Sequence, residues 1–234
     1  MVKNKKLIVM AAGVGSRMKP YTDNMPKCLF PLGKNITPLG RTIKMFEDKM
    51  DIYVITGFCK DQIEKSFPEI KTIFNPFYSI TNSISSLWFS RHLLEGEVII
   101  MNADVIIEDR ISDILLQSDK KNFALIDSSR SDEADYKVHI NNGKVVIMDK
   151  TLKRSSGEYV GFCKLSGEDL FNYRKNIERM VEAGQIDDWW ETALVKMILS
   201  DEIMLEYEDI SGMKWTEIDS PSDLILAKKV INDG

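Results

Sequence analysis

The stretch Val9-Met10-Ala11-Ala12-Gly13-Val14-Gly15-Ser16-Arg17-Met18-Lys19-Pro20, continued by Thr22 and by Pro26-Lys27-Cys28-Leu29, decides how this chain is read. It starts as an apolar run, Leu7–Ala11, of strand length and ends in small residues. Small residues let the backbone approach a flat base or a phosphate closely. Backbone N–H groups at such a turn, near a helix N-terminus, form an anion site. Arg17 adds a fork of donors suited to phosphate oxygens, and Lys27 adds a mobile point charge one loop later. A dinucleotide fingerprint would need glycine at position 18, where Met18 stands. No Gly-Lys-Ser/Thr follows, so the loop is not a Walker A either.

Outward from this loop, the first half alternates strand and helix patterns. Strands are predicted at Ile52–Thr56, Lys71–Asn75 and Glu97–Met101. Helices are predicted at Thr42–Lys49, Asp61–Phe67 (with Asp61 near its cap) and Ser83–Leu94. The second half reads as strands at Phe123–Asp127, Lys137–Asn141 and Val145–Met148, the last two joined by the hairpin signal Asn141-Asn142-Gly143. Helices follow at Ser166–Ala183, with Ser166 as N-cap, and at Asp187–Leu199. Short strands at Ile203–Tyr207 and Trp215–Ile218 precede a closing helix, Ser222–Ile231. The alternation predicts an α/β fold, Rossmann-like and doubly wound. Its sheet should be mixed but mainly parallel, with helices on both faces and a small β-hairpin elaboration on the acceptor side. One domain, 1–234, is expected, with a nucleotide half of about 1–120 and an acceptor half of about 121–234.

Composition narrows the function classes. The 234 residues are 44% hydrophobic and 29% charged, ordinary for a globular protein. The net charge of −5 lacks the basic field of a nucleic-acid binder, so any anion site must be local. No apolar run reaches membrane-spanning length, and the N-terminal apolar stretch is too short for a signal peptide. Three cysteines, Cys28, Cys59 and Cys163, match no metal spacing and read as reduced thiols. A cytoplasmic protein with no membrane or nucleic-acid partner is expected, and a homodimer is left open. His92 and His139, the two histidines, fall in no nucleophile or metal pattern and are assigned to structure.

The loop resembles that of the nucleoside-triphosphate transferase family, which includes sugar-phosphate nucleotidyltransferases. That family reads A-A-G-x-G-x-R, then P, T and P-K-x-L, and this chain matches at Ala11, Ala12, Gly13, Gly15, Arg17, Pro20, Thr22, Pro26, Lys27 and Leu29. The resemblance implies a nucleotide site built from Ala11, Ala12, Gly13, Gly15, Ser16, Arg17 and Lys27. Ala12 and Gly13 would border the base, Arg17 would hold the triphosphate, and Lys27 would approach the α-phosphate. Asn102 joins this nucleotide set. Two aspartates follow strands, in Asn102-Ala103-Asp104 and in Trp215-Thr216-Glu217-Ile218-Asp219. Ligands gather at strand carboxyl ends in parallel α/β sheets, though a lone Asp there is also an ordinary turn or cap residue. Both fit the family's metal positions, which implies that Asp104 and Asp219 hold catalytic Mg²⁺. Glu217 either orients a ligand or caps a strand.

The second half resembles a narrower branch, the cytidylyltransferases acting on phosphocholine and 2-aminoethylphosphonate. The likeness lies in Asp135-Tyr136-Lys137-Val138, Gly143-Lys144-Val145, Asp149-Lys150, Gly157-Glu158-Tyr159-Val160-Gly161 and Gly212 to Asp219. It implies transfer of CMP from CTP to a phosphocholine, 2-aminoethylphosphonate or phosphoglutamine type of acceptor, with release of pyrophosphate, for cell-surface or capsule decoration. The alternative is a sugar-1-phosphate nucleotidyltransferase using UTP, dTTP or GTP. Lys150 would meet the acceptor's phosphoryl group, or be a solvated lysine. Asn82 would contact nucleotide or acceptor, or cap a helix. Glu158, Asp188, Trp189 and Glu191 are the remaining acceptor candidates, because Asp187-Asp188-Trp189-Trp190-Glu191 combines carboxylates with aromatics able to meet a cation. Either tryptophan could equally be core. One departure counts against choline: Ala134 stands where the phosphocholine enzymes are expected to carry an aromatic.

Overall fold

The computed structural model describes residues 5–131 and 134–232. Strand β1 (Lys5–Ala11) lies at the middle of a nine-stranded sheet. Beside it run β2 (Asp51–Thr56) and then β3 (Lys71–Phe74), all parallel. On its other side lies β4 (Glu97–Asn102), also parallel. Next comes β9 (Gly157–Ser166), antiparallel to both β4 and β6 (Phe123–Asp127). The edge is β10 (Glu206–Asp209), parallel to β6. The hairpin β7 (Lys137–Asn141) and β8 (Lys144–Asp149) joins the sheet through β9. A separate ribbon pairs β5 (Val105–Ile107) with β11 (Trp215–Glu217). This is the mixed, mainly parallel α/β sheet predicted, hairpin included.

The strand alternation feeds two cores. Ile8, Ile55, Val98, Ile100 and Cys163 face α3 (Ser83–Phe89), α5 (Gly167–Glu182) and α6 (Trp190–Leu199). Leu7, Val9, Val54, Ile99 and Phe162 face α1 (Pro38–Phe46), α2 (Lys60–Ser66) and α4 (Asp109–Gln117). Neighbours in sequence point to opposite faces, so a sheet covered by helices on both sides needs apolar residues at every position. A third, small cluster packs α7 (Pro221–Asn232) through Ala227 and Val230 onto Met18, Ile106 and Ile218. Met18 is therefore a fully buried anchor for the loop. A glycine there would leave that cluster unfilled.

Several boundaries differ from the sequence reading. The first helix begins at Pro38, because the Thr37 hydroxyl accepts from the Gly40 amide at 3.1 Å and proline suits the first turn. The segment 83–94 is α3 followed by a tighter turn at Arg91–Leu93. Asp187–Trp189 is not helical: the Asn82 and Ile84 amides donate to the Ile186 and Asp188 carbonyls at 2.9 and 3.1 Å, and the chain bends at Asp187 and Asp188 before α6 begins. The second half's longest strand, β9, was not predicted. Its buried Glu158 and Lys164 interrupt the apolar run that marks an interior strand. Strand β5 and helix α4 were missed as well. Asn142 and Gly143 both have positive φ, 49° and 75°, as a two-residue hairpin turn needs. Ser166 stands at the N-cap of α5, but its hydroxyl donates to the Lys121 carbonyl instead of capping.

Candidate active site

Because β1, β2, β3 and β4 are parallel, the loops leaving their carboxyl ends share one edge of the sheet. Two adjoining hollows open there. The first is floored by the loop after β1: Ala11, Gly13, Gly15, Ser16, Arg17 and Lys27 line it, with Asp104 and Asn82. The Thr22 hydroxyl donates to the Gly15 carbonyl at 2.8 Å and closes the loop. Gly15 sits at φ +66°, and a Cβ there would stand 3.0 Å from Cγ of Lys27. Glycine meets both that conformation and that close neighbour without strain.

Carboxylates meet cations at the mouth of this hollow. Lys27 Nζ lies 3.1 Å from Asp104 Oδ2 and 2.6 Å from Asp219 Oδ1. Arg17 Nη1 lies 2.7 Å from Asp219 Oδ2. Glu217 completes the group, and one oxygen from each of Asp104, Glu217 and Asp219 lies within 4.8 Å of the others. Residues far apart in sequence are brought together by two backbone ties. The Ala103 amide donates to the Met10 carbonyl at 3.2 Å, and the Ile218 amide to the Asp104 carbonyl at 3.0 Å. Burial works against the Lys27 ammonium, but Asp104 and Asp219 outweigh it and hold its pKa above the usual lysine value. Burial, reinforced by the charges of Asp104 and Asp219, pushes the Glu217 carboxyl up to about 8. Three close carboxylates on oxygen-only side chains form a donor set suited to a hard divalent cation.

The second hollow runs from Ala12, Gly13 and Arg17 towards residues of the chain's second half. Asn82, Asn102, Asp104 and Lys150 line it, as do Tyr136, Tyr159, Trp189, Glu191 and Glu217. Strand β9 delivers Tyr159. Gly161, at φ +81° beside β4, leaves room for Asn102, whose side-chain nitrogen would be 3.3 Å from a Cβ there. Asn102 in turn accepts from the Trp190 indole at 3.0 Å and donates to Glu191 at 3.4 Å. The two tryptophans have different fates. Trp190 is fully buried core, whereas Trp189 is 41% exposed at the cavity wall. Rings of Tyr136 and Trp189 are 6.0 Å apart, and those of Tyr136 and Tyr159 are 5.5 Å apart. Lys150 Nζ pairs with Asp135 at 2.5 Å and lies 5.1 Å over the Trp189 ring. Burial raises Glu191 to about 7, against the opposing pull of its backbone and Asn102 hydrogen bonds and of Lys150.

Two acceptor candidates fall elsewhere. Glu158 does not line the cavity: it accepts from the Asp135 amide at 2.9 Å and pairs with Arg130 at 3.5 Å, so it anchors the loop before β7. It points away because neighbours alternate on a strand, and Tyr159 takes the cavity side. Asp188 borders a neighbouring shallow pocket with Asp187 and Thr192. The Asn82 side chain caps α3 through the Ser83 amide at 2.7 Å, and the residue lines both hollows. Tyr136 and Tyr159 were not singled out in sequence. Both stood inside quoted motifs, but nothing local marks which face of β7 or β9 turns inward. Tyr136, two residues past Ala134, lines the cavity beside Tyr159 and Trp189.

Along 97% of the chain, the sequence is 25% identical to choline-phosphate cytidylyltransferase of Streptococcus pneumoniae, covering 99% of that protein. Its relatives and structural neighbours are nucleotidyltransferases. The solved CTP:phosphocholine cytidylyltransferase from Streptococcus pneumoniae superposes with a TM-score of 0.81 at 20% identity, over 97% of this chain and 99% of that one. A 2-aminoethylphosphonate cytidylyltransferase of Lancefieldella rimae is 35% identical over 109 residues, 44% of either chain. The chain spans about half the length of other curated relatives: it covers 54% of the bifunctional protein GlmU of Methanocaldococcus jannaschii, at 25% identity over 97% of this chain. No family model matches the sequence. The likeness supports an enzyme of the nucleotidyltransferase class. No helix among the described residues is long and apolar enough to cross a membrane.

Proposed function

We propose that the protein transfers CMP from CTP to a small phosphate or phosphonate acceptor with a polar or cationic tail, releasing pyrophosphate. The observation that carries this is the junction of the two hollows at Asp104, Arg17 and Gly13, which line both. A nucleotide in one and an acceptor in the other would meet at the carboxylate–cation cluster. Asp104 and Asp219, with Glu217 beside them, would hold a divalent cation such as Mg²⁺, and that ion would offset negative charge on the reacting phosphates. Arg17 and Lys27 neutralise phosphate oxygens from the loop side. Ala12 and Gly13 leave space for a base. Lys150 approaches the acceptor's anionic end. An acceptor oxygen attacks the α-phosphorus, the bond to the bridging oxygen breaks, and pyrophosphate leaves. The attacking group is already an anion, so positioning and charge neutralisation suffice without a strong base.

The choice of CTP and of a small acceptor is supported by the cytidylyltransferase relatives and by the wall of Tyr136, Tyr159, Trp189 and Glu191. A matrix of four nucleoside triphosphates against phosphocholine, 2-aminoethylphosphonate, a phosphorylated glutamine and sugar 1-phosphates tests it. Mg²⁺-dependent pyrophosphate release is expected from CTP with a small acceptor. Release only from UTP, dTTP or GTP with a sugar 1-phosphate would instead establish the sugar-nucleotide reading.

A further inference from the structure

Arg130 ends the turn Ser128–Arg130 after β6 and gathers two buried carboxylates. Its Nε lies 3.3 Å from Asp127 Oδ2, and its Nη1 lies 3.5 Å from Glu158 Oε2. Its Nη2 donates to the Trp215 carbonyl at 3.0 Å, and the guanidinium carbon sits 4.2 Å from the centre of the Trp215 ring. The Trp215 indole donates to the same Asp127 oxygen at 2.8 Å. Trp215 opens β11, the strand that leads into Glu217 and Asp219. That strand pairs with β5 alone among the described residues, so Arg130 gives it a second hold. On the other side, Glu158 accepts from the Asp135 amide at 2.9 Å, and Asp135 pairs with Lys150 at 2.5 Å. One guanidinium thus links the strand of the carboxylate cluster to the lysine of the second hollow, while itself lining neither hollow.

We propose that Arg130 is a positioning residue that sets the placement of Lys150 relative to the strand carrying Glu217 and Asp219. This rests on the transferase reading, in which Lys150 meets the acceptor's anionic end. A guanidinium is a rigid planar fork, and here its three nitrogens serve acceptors on three segments while its face stacks on an indole. A lysine at position 130 would keep the charge but not the three directions or the stacking. Glu158 is buried, so removing the cation leaves its carboxylate without that ion pair and weakens its hold on the Asp135 amide. Asp135 then no longer fixes Lys150, and Trp215 loses a donor at its carbonyl. Placement matters because a shift of about 1 Å between reacting groups can cost about a hundredfold in rate.

The test compares Arg130→Met, Arg130→Lys, Lys150→Met and the double variant Arg130→Met with Lys150→Met. Acetic anhydride labelling of the intact protein, read by mass spectrometry, reports how firmly Lys150 is held, with the exposed Lys144 as internal reference. Turnover is pyrophosphate release from CTP and Mg²⁺ with phosphocholine and with 2-aminoethylphosphonate. Arg130→Met should raise Lys150 labelling by about threefold or more over Lys144, because a local tether has opened. It should raise the acceptor KM by about tenfold in the wild-type background, and by less than about twofold where Lys150 is already methionine, since residues that act through one another do not add. Arg130→Lys should leave the acceptor KM raised. An arginine that served stability alone would lower the folded fraction, and so kcat, without moving the acceptor KM. Unchanged Lys150 labelling in Arg130→Met, equal KM effects in both backgrounds, or full rescue by Arg130→Lys would each overturn the inference. Glu158→Gln weakens the same link from its other end and should also raise Lys150 labelling, which keeps the inference open to refutation where Arg130→Met fails to fold. Raised Lys150 labelling with no pyrophosphate release from CTP and either acceptor would sink the transferase reading and leave the tether standing. Release by the wild type, with Lys150 labelling unmoved in Arg130→Met, would do the reverse.

Discussion

The two hollows are built by opposite strategies. The proposed phosphate side is built mainly on the segment that follows β1, with a positive-φ glycine and two basic side chains ion-paired to carboxylates. The proposed acceptor side is assembled from seven separate segments, those carrying Asn82, Asn102, Tyr136, Lys150, Tyr159, Trp189 and Glu217, contributes tyrosines and a tryptophan, and holds one buried carboxylate, Glu191. A triphosphate is recognised chiefly by charge, which a short run of backbone and cations supplies. A small molecule's far end needs shape and placed polar groups, which only tertiary structure assembles. The prediction is a division of labour: changes on one side should alter one substrate's kinetics and not the other's.

The largest expected effect lies where the sides meet. Asp104→Ala removes a carboxylate from the three-member cluster and a partner of Lys27. Turnover should fall by at least about a hundredfold, as for loss of one preorganised electrostatic contact at a reacting phosphate. Circular dichroism should show the fold intact, and triphosphate binding by calorimetry should survive. Undiminished pyrophosphate release would remove Asp104 from the metal assignment and break the comparison at its centre.

A smaller effect, on stability, separates the buried Glu191 carboxylate from the ion-paired cluster of Arg17 and Lys27. Glu191 is raised to about 7, chiefly by burial, against an ordinary value near 4.5. The folded state therefore holds a proton that the unfolded chain releases earlier. The stabilisation is full below about pH 4.5 and is lost as pH climbs to about 7. Glu191→Gln removes that loss. The variant should match the wild type at pH 5 and exceed it at pH 8, by on the order of 2 kcal/mol in chemical denaturation. Equal curves at both pH values would place the carboxylate in contact with water, and the acceptor wall would then be less dry than its burial indicates.

This contrast also explains what could be read from the amino-acid order. The loop from Ala11 to Leu29 was legible because its glycines, Arg17 and Lys27 act within one short segment. Asp104 and Asp219 were legible only through resemblance, since nothing in their local order says that Ile218 hydrogen-bonds to the Asp104 carbonyl. Strand β9 was invisible as a strand because Glu158 and Lys164 break its apolar run, and both are satisfied by distant partners, Arg130 and Glu97 among them. Missing β9 meant missing Tyr159 and misplacing Glu158, because facing within a strand depends on register. Trp189 and Trp190 could not be separated in sequence either. Their split follows from the non-helical stretch tied to the Asn82 and Ile84 amides, which delays the start of α6.

The smallest effect tests the loop's own geometry. Gly15→Ala adds a Cβ at φ +66°, 3.0 Å from Cγ and 3.3 Å from Cε of Lys27. The left-handed conformation alone costs an alanine about 1 kcal/mol, which at this chain length is about 2–4 °C in Tm. The methyl also pushes the lysine stem away from Asp104 and Asp219, the two carboxylates that position its ammonium. The KM for CTP should rise several-fold, while the KM for the acceptor stays put, because no acceptor-side residue is among the atoms nearest that methyl. Thermal unfolding and a two-substrate kinetic grid measure both outcomes. An equal rise in both KM values would mean that Lys27 couples the two hollows, and that the division between a charge-reading side and a shape-reading side runs through that lysine rather than beside it.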